Sequence, residues 1–183
     1  QTQALKFLED NHDWMINMLA RLPRSTDFSN GETISFFGQK YIILHTPLER
    51  RTYFDDGFLK VSGDSEFLHR RTMDFLKQST LKKLSEMTVK QAKILGCRVS
   101  SVAIKDTKSR WGSCSTLGNI NYNWRICMAP IHVINYLVCH EVSHLKHPDH
   151  STAFWSCVKD LCPDYEEGRH WLKVKGKDLY KYI

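Results

Sequence analysis

No stretch of the chain approaches the roughly 18 to 20 consecutive apolar residues that a membrane-spanning helix requires. Nor does any short apolar run near the start carry the basic flank and small-residue cleavage site of a secretory leader. Cys-x-x-Cys pairs are also missing. Six cysteines stand at 97, 114, 127, 139, 157 and 162, at spacings that make neither a zinc knuckle nor a redox motif. Reduced thiols and a cytoplasmic setting, without a membrane partner, are the expectation. Proline and glycine are sparse, 5 and 9 in 183 residues, and no linker, repeat or low-complexity tract interrupts the chain. One compact domain over residues 1–183 is therefore expected. The first residue is Gln1 rather than methionine, so preceding residues are expected. Lysine and arginine exceed acidic residues by only 26 to 20, and the excess is dispersed, so no basic helix marks a nucleic-acid surface.

The apolar periodicity divides the chain into three parts. Leu5, Leu8, Trp14, Met15, Met18 and Leu19 predict a first helix over residues 2–20 that stops near Pro23. Ile34 and Phe36, then Tyr41 and Ile43, predict a hairpin turning at Gly38-Gln39, and Tyr53 to Val61 continues as strand around an Asp56-Gly57 turn. A helix and antiparallel hairpins thus fill residues 1–63. Residues 64–95 lack proline and glycine and end at Gly96, which predicts one long helix with a left-handed cap. In the third part, residues 97–176, strands are expected at Val99 to Ile104 and Ile120 to Met128, joined through the turn residues Leu117-Gly118-Asn119. Pro130 then opens a helix reaching about His147, Ser151 caps another through Cys162, and Tyr165 to Lys175 forms the last.

The chemistry concentrates in His140-Glu141-Val142-Ser143-His144. Residues four apart on a helix are displaced by only about 40° around its axis, so two imidazoles can share one metal ion. The carboxylate between them is placed to act as general base on a zinc-bound water. Val133, Ile134, Leu137 and Val138 bury the same helix, and buried histidines and a glutamate need strong compensation, which a metal supplies. On such a helix Cys139 is expected as a packed thiol. A third protein ligand is needed, and two histidines compete for the place. His147 stays on the same rod, about 10 Å along the axis from His140. His150 follows Pro148, where the chain can fold back, and is favoured.

The spacing of His140, His144 and His150 equals that of metzincin proteases, but His147 stands where they carry a turn glycine, which argues against membership. A better match emerges on reading outward: Ser109-Arg110-Trp111-Gly112-Ser113-Cys114-Ser115, then Asn121-Tyr122-Asn123-Trp124-Arg125, the histidine helix, His150-Ser151-Thr152-Ala153-Phe154-Trp155, and Pro163-Asp164-Tyr165 with Trp171-Leu172. This succession resembles the YgjP-like metallopeptidase family, metal-dependent hydrolases related to SprT-like and minimal gluzincin-type zinc proteases. The resemblance spans residues 34–176. It implies His140, His144 and His150 as metal ligands, Glu141 as the catalytic glutamate, and a zincin-like α+β fold. That fold would have an antiparallel or mixed sheet, a long packing helix and a zinc-binding HExxH helix. One branch of the family is associated with nucleoside-triphosphate pyrophosphatase activity, so the resemblance leaves the reaction open.

Around the site, Arg110 and Arg125 are candidates for holding a substrate carboxylate or phosphate, though structural pairing competes for both. Asn123, Tyr165 and His170 can stabilise an oxyanion. The Ile120 to Met128 strand is the candidate edge for pairing with a peptide. Trp111, Trp124, Phe154, Trp155 and Trp171 are expected to pack. The leading expectation is a peptidase with one Zn2+ ion acting on polypeptides. Phosphoanhydride hydrolysis at the same metal comes second. A nucleic-acid-associated module or SprT-like protease comes third, and salt-sensitive DNA binding would be its sign.

Overall fold

The computed structural model describes residues 2–14, 16 and 26–182. Helix α1 spans Thr2–Asp10, and residues 12–14 are helical again, with Leu5, Phe7 and Trp14 exposed. Apart from Ile16, which is helical, the remainder of the helix expected over residues 2–20 lies outside the described residues.

Strands β1 (Thr33–Phe36), β2 (Gln39–His45), β3 (Tyr53–Asp55) and β4 (Phe58–Val61) form one sheet in the order β1-β2-β4-β3. One of the two expected two-residue turns is present as placed, and the other is displaced. Asp56 and Gly57 have φ of 40° and 77°, the left-handed pair that a tight hairpin demands. The first turn falls one residue earlier than the glycine suggests, on Phe37 and Gly38, with φ of 51° and 81°. Phe37 tolerates that conformation because its N–H donates to the Cys127 carbonyl at 2.7 Å and its ring packs edge-on against Phe36. The sheet is mixed rather than purely antiparallel. Residues 46–52 carry the chain across to the far edge, so β4 returns between β3 and β2 and runs parallel to β2, with Ile43 opposite Leu59.

Helix α2 (Leu68–Ile94) follows a short 3-10 turn and carries a buried stripe at Leu68, Thr72, Leu76, Thr80, Leu84, Thr88 and Ala92. These positions recur every four residues. Each step of four overshoots a full turn by about 40°, so the stripe winds around the helix instead of following one face. Phe75 of α2 thereby packs on Phe54 of the first sheet, while Thr88, about three and a half turns further on, shares a hydrogen bond with Tyr122 of the second. Gly96 closes the helix with φ of 68°. The Cys97 N–H reaches the Ala92 carbonyl and the Gly96 N–H that of Lys93, the paired bonds of a Schellman cap.

The second sheet is also mixed, in the order β5-β7-β6, from β5 (Ser101–Lys105), β6 (Gly112–Cys114) and β7 (Asn119–Asn123). Two expectations need correction here. The strand expected through Met128 stops at Asn123, and Trp124–Met128 is a 3-10 helix. Its start is set by Asn123, whose side-chain oxygen accepts from the Arg125 N–H at 3.0 Å. In addition, β6 falls in the chain between the two expected strands, too short to show an alternation, and takes the edge of the sheet.

Helices α3 (Ile131–Ser143), α4 (Thr152–Leu161) and α5 (Tyr165–Lys175) complete the fold, with a final 3-10 helix over Gly176–Lys181. One buried cluster joins the first sheet, α2, β7 and α3, from Phe28 and Ile43 through Leu76 and Trp124 to Val142. Helix α5 approaches α3 closely because Gly168 lacks a side chain; a Cβ there would lie 2.6 Å from Cβ of Tyr136. Near the C-terminus, Tyr182 stacks on Phe28 at 4.1 Å, and the Thr26 N–H donates to the Lys181 carbonyl.

Candidate metal centre

Pro130 caps α3, and Val133, Ile134, Leu137 and Val138 bury it as their spacing predicts. The helix tightens after Ser143, earlier than Pro148 requires, as the N–H groups of Leu145 and Lys146 reach back three residues. This ending turns the chain so that Pro148-Asp149 can return His150 toward the helix. Asp149 steadies the return by accepting the Ser151 N–H at 3.2 Å, and the Ser151 hydroxyl then caps α4.

Ligand-capable atoms of His140, His144 and His150 consequently lie within 4.8 Å of one another, and Nε2 of His150 is 3.2 Å from Nε2 of His140. His147 plays a different part. Its carbonyl lies 3.1 Å from Nδ1 of His144, which fixes the tautomer with Nδ1–H donating and leaves Nε2 as a lone-pair donor. All three rings rest on Phe154, with centroids 5.0, 4.5 and 4.7 Å away, and Phe154 is fully buried beneath them.

The donor set fits a metal ion. Burial, reinforced by His144 and His150, pushes His140 down to about 3, and burial also lowers His144, so both stay neutral and able to ligate. Nδ1 of His140 is buried with no partner among the described residues. Its Nε2 faces another imidazole nitrogen, and a shared cation would satisfy the converging lone pairs.

Glu141 is 4% exposed, and burial pushes its carboxyl up to about 8 against the pull of Arg110. It meets the edge strand β6 at Gly112, where a Cβ would lie 2.6 Å from the Glu141 carboxyl carbon. Two cavities flank the three histidines. The first, of about 310 Å³, lies on the His140 and Glu141 side between Trp111, Gly112, Tyr136, Arg169 and Lys173. The second, of about 370 Å³, lies on the His144 side between Arg98, Ser115, Thr116 and Pro148.

A family model described as YgjP-like, metallopeptidase domain, matches residues 1–175. The chain belongs to the YgjP-like metallopeptidase family. Membership makes it a metal-dependent peptidase in general terms. Among solved structures, the metallopeptidase zymogen abylysin of Pyrococcus abyssi is similar with a TM-score of 0.45 and 24% identity, over 50% of this chain and 95% of that one. None of the curated proteins compared with the chain matches it. Among the described residues, no helix is long and apolar enough to cross a membrane.

The other candidate residues of this YgjP-like chain separate by position. Arg110 is exposed and close enough to Glu141 to influence its charge. Tyr165 stacks on Trp155 at 5.5 Å, and Trp155 in turn lies 5.7 Å from the His140 ring. Asn123 and Arg125 have their polar atoms committed inside the fold. The Asn123 amide donates to the Thr107 carbonyl at 2.6 Å, while Arg125 donates to the Tyr182 carbonyl and pairs with Asp106. For Arg125 this is the structural pairing that competed with substrate binding. His170 is exposed on α5. The aromatic residues pack: Trp124 is fully buried, and Trp111 lies 5.1 Å from Tyr180.

The expected peptide-pairing edge is corrected. Strand β7, which holds Ile120, is the central strand of its sheet, and β6 is the edge beside Glu141. Sequence reasoning also missed Arg169 and Lys173. Their four-residue spacing was visible, but the face of α5 turned toward the site depends on how Gly168 seats that helix on α3.

Proposed function

We propose that the chain is a zinc peptidase in which His140, His144 and His150 hold the ion and Glu141 is the general base. The observation that supports this most is the convergence of three imidazoles, from one helix and the chain that returns to it, beside the buried carboxylate of that helix. A three-nitrogen donor set with room for a further ligand suits zinc better than magnesium or calcium. When bound, the ion would polarise the scissile carbonyl, acidify the attacking water and hold Glu141 in its charged form.

The residues of the chain then divide the work. Glu141 accepts a proton from the water as its oxygen bonds to the scissile carbon, and delivers that proton to the departing amine nitrogen as the C–N bond breaks. Gly112 leaves room for the carboxylate to do this. The Trp111 carbonyl accepts from the Asn123 N–H, and the Ser115 N–H donates to the Asn119 carbonyl, so alternate residues of β6 face β7. By the same alternation, the amide and carbonyl groups of Gly112 and Cys114 face the open edge, available to an extended polypeptide. An open strand edge suits a peptide better than a triphosphate.

The test is a Glu141→Gln protein that keeps its zinc, compared with the parent on unfolded polypeptides and on nucleoside triphosphates, with chelator controls. Polypeptide cleavage that is lost in the variant is expected. Cleavage at the parental rate would end the general-base assignment, and triphosphate hydrolysis without peptide cleavage would replace the substrate class.

A further inference from the structure

The two cavities beside the histidines are ordered by the direction of β6. This strand runs from Gly112, against Glu141 in the 310 Å³ cavity, toward Ser115, which lines the 370 Å³ cavity beside His144. A peptide adding to the open edge in the slightly stronger antiparallel sense runs the opposite way. Its N-terminal part passes Ser115 and His144, and its C-terminal part enters the cavity between Glu141 and α5. Residues following the scissile bond therefore meet Arg169 and Lys173.

Those two cations lie one helical turn apart on α5, both exposed and both lining that cavity. Among the described residues, neither has a carboxylate within ion-pairing distance. The guanidinium of Arg169 lies over the Trp155 ring, 4.4 Å from its centroid, and Trp155 stacks in turn on Tyr165. Stacking occupies the face of the guanidinium and leaves the donors on its edge for a ligand. A cation held in place by a ring beside the metal ligands, with its donor fork unpaired, is a preorganised anion site.

We infer that Arg169, assisted by Lys173, forms a subsite for a carboxylate directly following the scissile bond, either an acidic side chain or the terminal carboxylate of the substrate. The orientation rests on the peptidase reading, whereas the anion preference can be measured without turnover. Labelled peptides carrying Glu, Gln or Lys at each position, and Ala peptides ending in a free or an amidated carboxyl, would be titrated against zinc-loaded Glu141→Gln protein by fluorescence anisotropy.

Peptides with the carboxylate correctly placed should bind about tenfold tighter than their Gln or amidated counterparts, the scale of one charge-assisted contact. Arg169→Gln should reduce that ratio below about threefold, and Arg169→Glu should turn the preference toward Lys. Circular dichroism would show that these exposed-site variants remain folded. Tightening by Glu alone identifies the side chain as the source, and tightening by the free C-terminus alone identifies the terminal carboxylate. Equal binding of charged and neutral peptides would overturn the inference, as would a Glu preference that survives Arg169→Glu. Carboxylate-selective binding without cleavage by the parent protein would leave the subsite standing and remove the peptidase reading.

Discussion

Gly112 and Glu141 occupy mutually exclusive volumes: the space a side chain would take at position 112 is filled by the carboxylate of Glu141. Glu141 is thus held between its own helix and the backbone of the edge strand. Gly112→Ala should push the carboxylate out of line and lower kcat/KM on polypeptide by about 100-fold, the usual cost of misplacing a reacting group by an ångström. Zinc content, read by elemental analysis, should stay at the parental level. Unchanged turnover in a folded Gly112→Ala protein would show that Glu141 does not need its present position.

His150 and His147 make opposite contributions and should respond differently to alanine. His150 presents a ring nitrogen to the site, whereas His147 presents a backbone carbonyl that survives substitution. His150→Ala should weaken zinc binding by more than about 100-fold, beyond the 10–100-fold expected of an outer-shell partner, and His147→Ala by less than about threefold. Competition with a chromogenic chelator measures both. The reverse order would make His147 the third ligand.

Asp106 and Arg125 link folding to acid. Burial raises the Asp106 carboxyl, but the Arg125 guanidinium hydrogen-bonded to it outweighs that effect, and the net shift is downward. A carboxyl lowered in the folded state contributes stability above its unfolded value of about 3.9 and loses it as pH falls through the folded value. Asp106→Asn should therefore destabilise the protein near neutrality, and the gap from the parent should close on acidification below about pH 4. Asp106 is half exposed, so the gap at pH 7 should be only about 1–2 kcal/mol, below the cost of breaking a fully buried pair. Urea titrations at several pH values would show it. A gap that widened in acid would reverse the sign of this linkage.

Gly96 gives a purely conformational prediction. Nothing lies within 4 Å of the position its Cβ would take, yet its φ of 68° is left-handed. Gly96→Ala should cost about 1 kcal/mol through backbone strain alone, measured by denaturant unfolding. A loss above about 3 kcal/mol would mean that the cap also carries packing.

What was legible in the sequence followed from local rules. The buried face of α3, the Asp56-Gly57 turn, the Gly96 cap and the Ser151 cap each depend on residues within a few positions of one another. His150 was favoured because Pro148 limits the helix, a local constraint with a distant result. The less legible parts depend on three-dimensional neighbours. Strand β6 is only three residues long, and its role comes from the unpaired side of the sheet. Structural pairing is a sequence-level reading of Arg125, but its partners, Asp106 and the Tyr182 carbonyl, come from distant parts of the chain. Arg169 became visible only once α5 was seated on α3.

The winding stripe of α2 has a consequence for how this chain can change in length. One inserted or deleted residue rotates everything beyond it by about 100°, two and a half times the drift between successive stripe positions. The half of the helix on one side of the change would then turn polar side chains toward its sheet, whichever half stayed in place. From Leu68 to Ala92 the helix therefore works as a keyed shaft, with a different groove for each sheet. Length variation is expected in the exposed connection around Leu48, and not along α2.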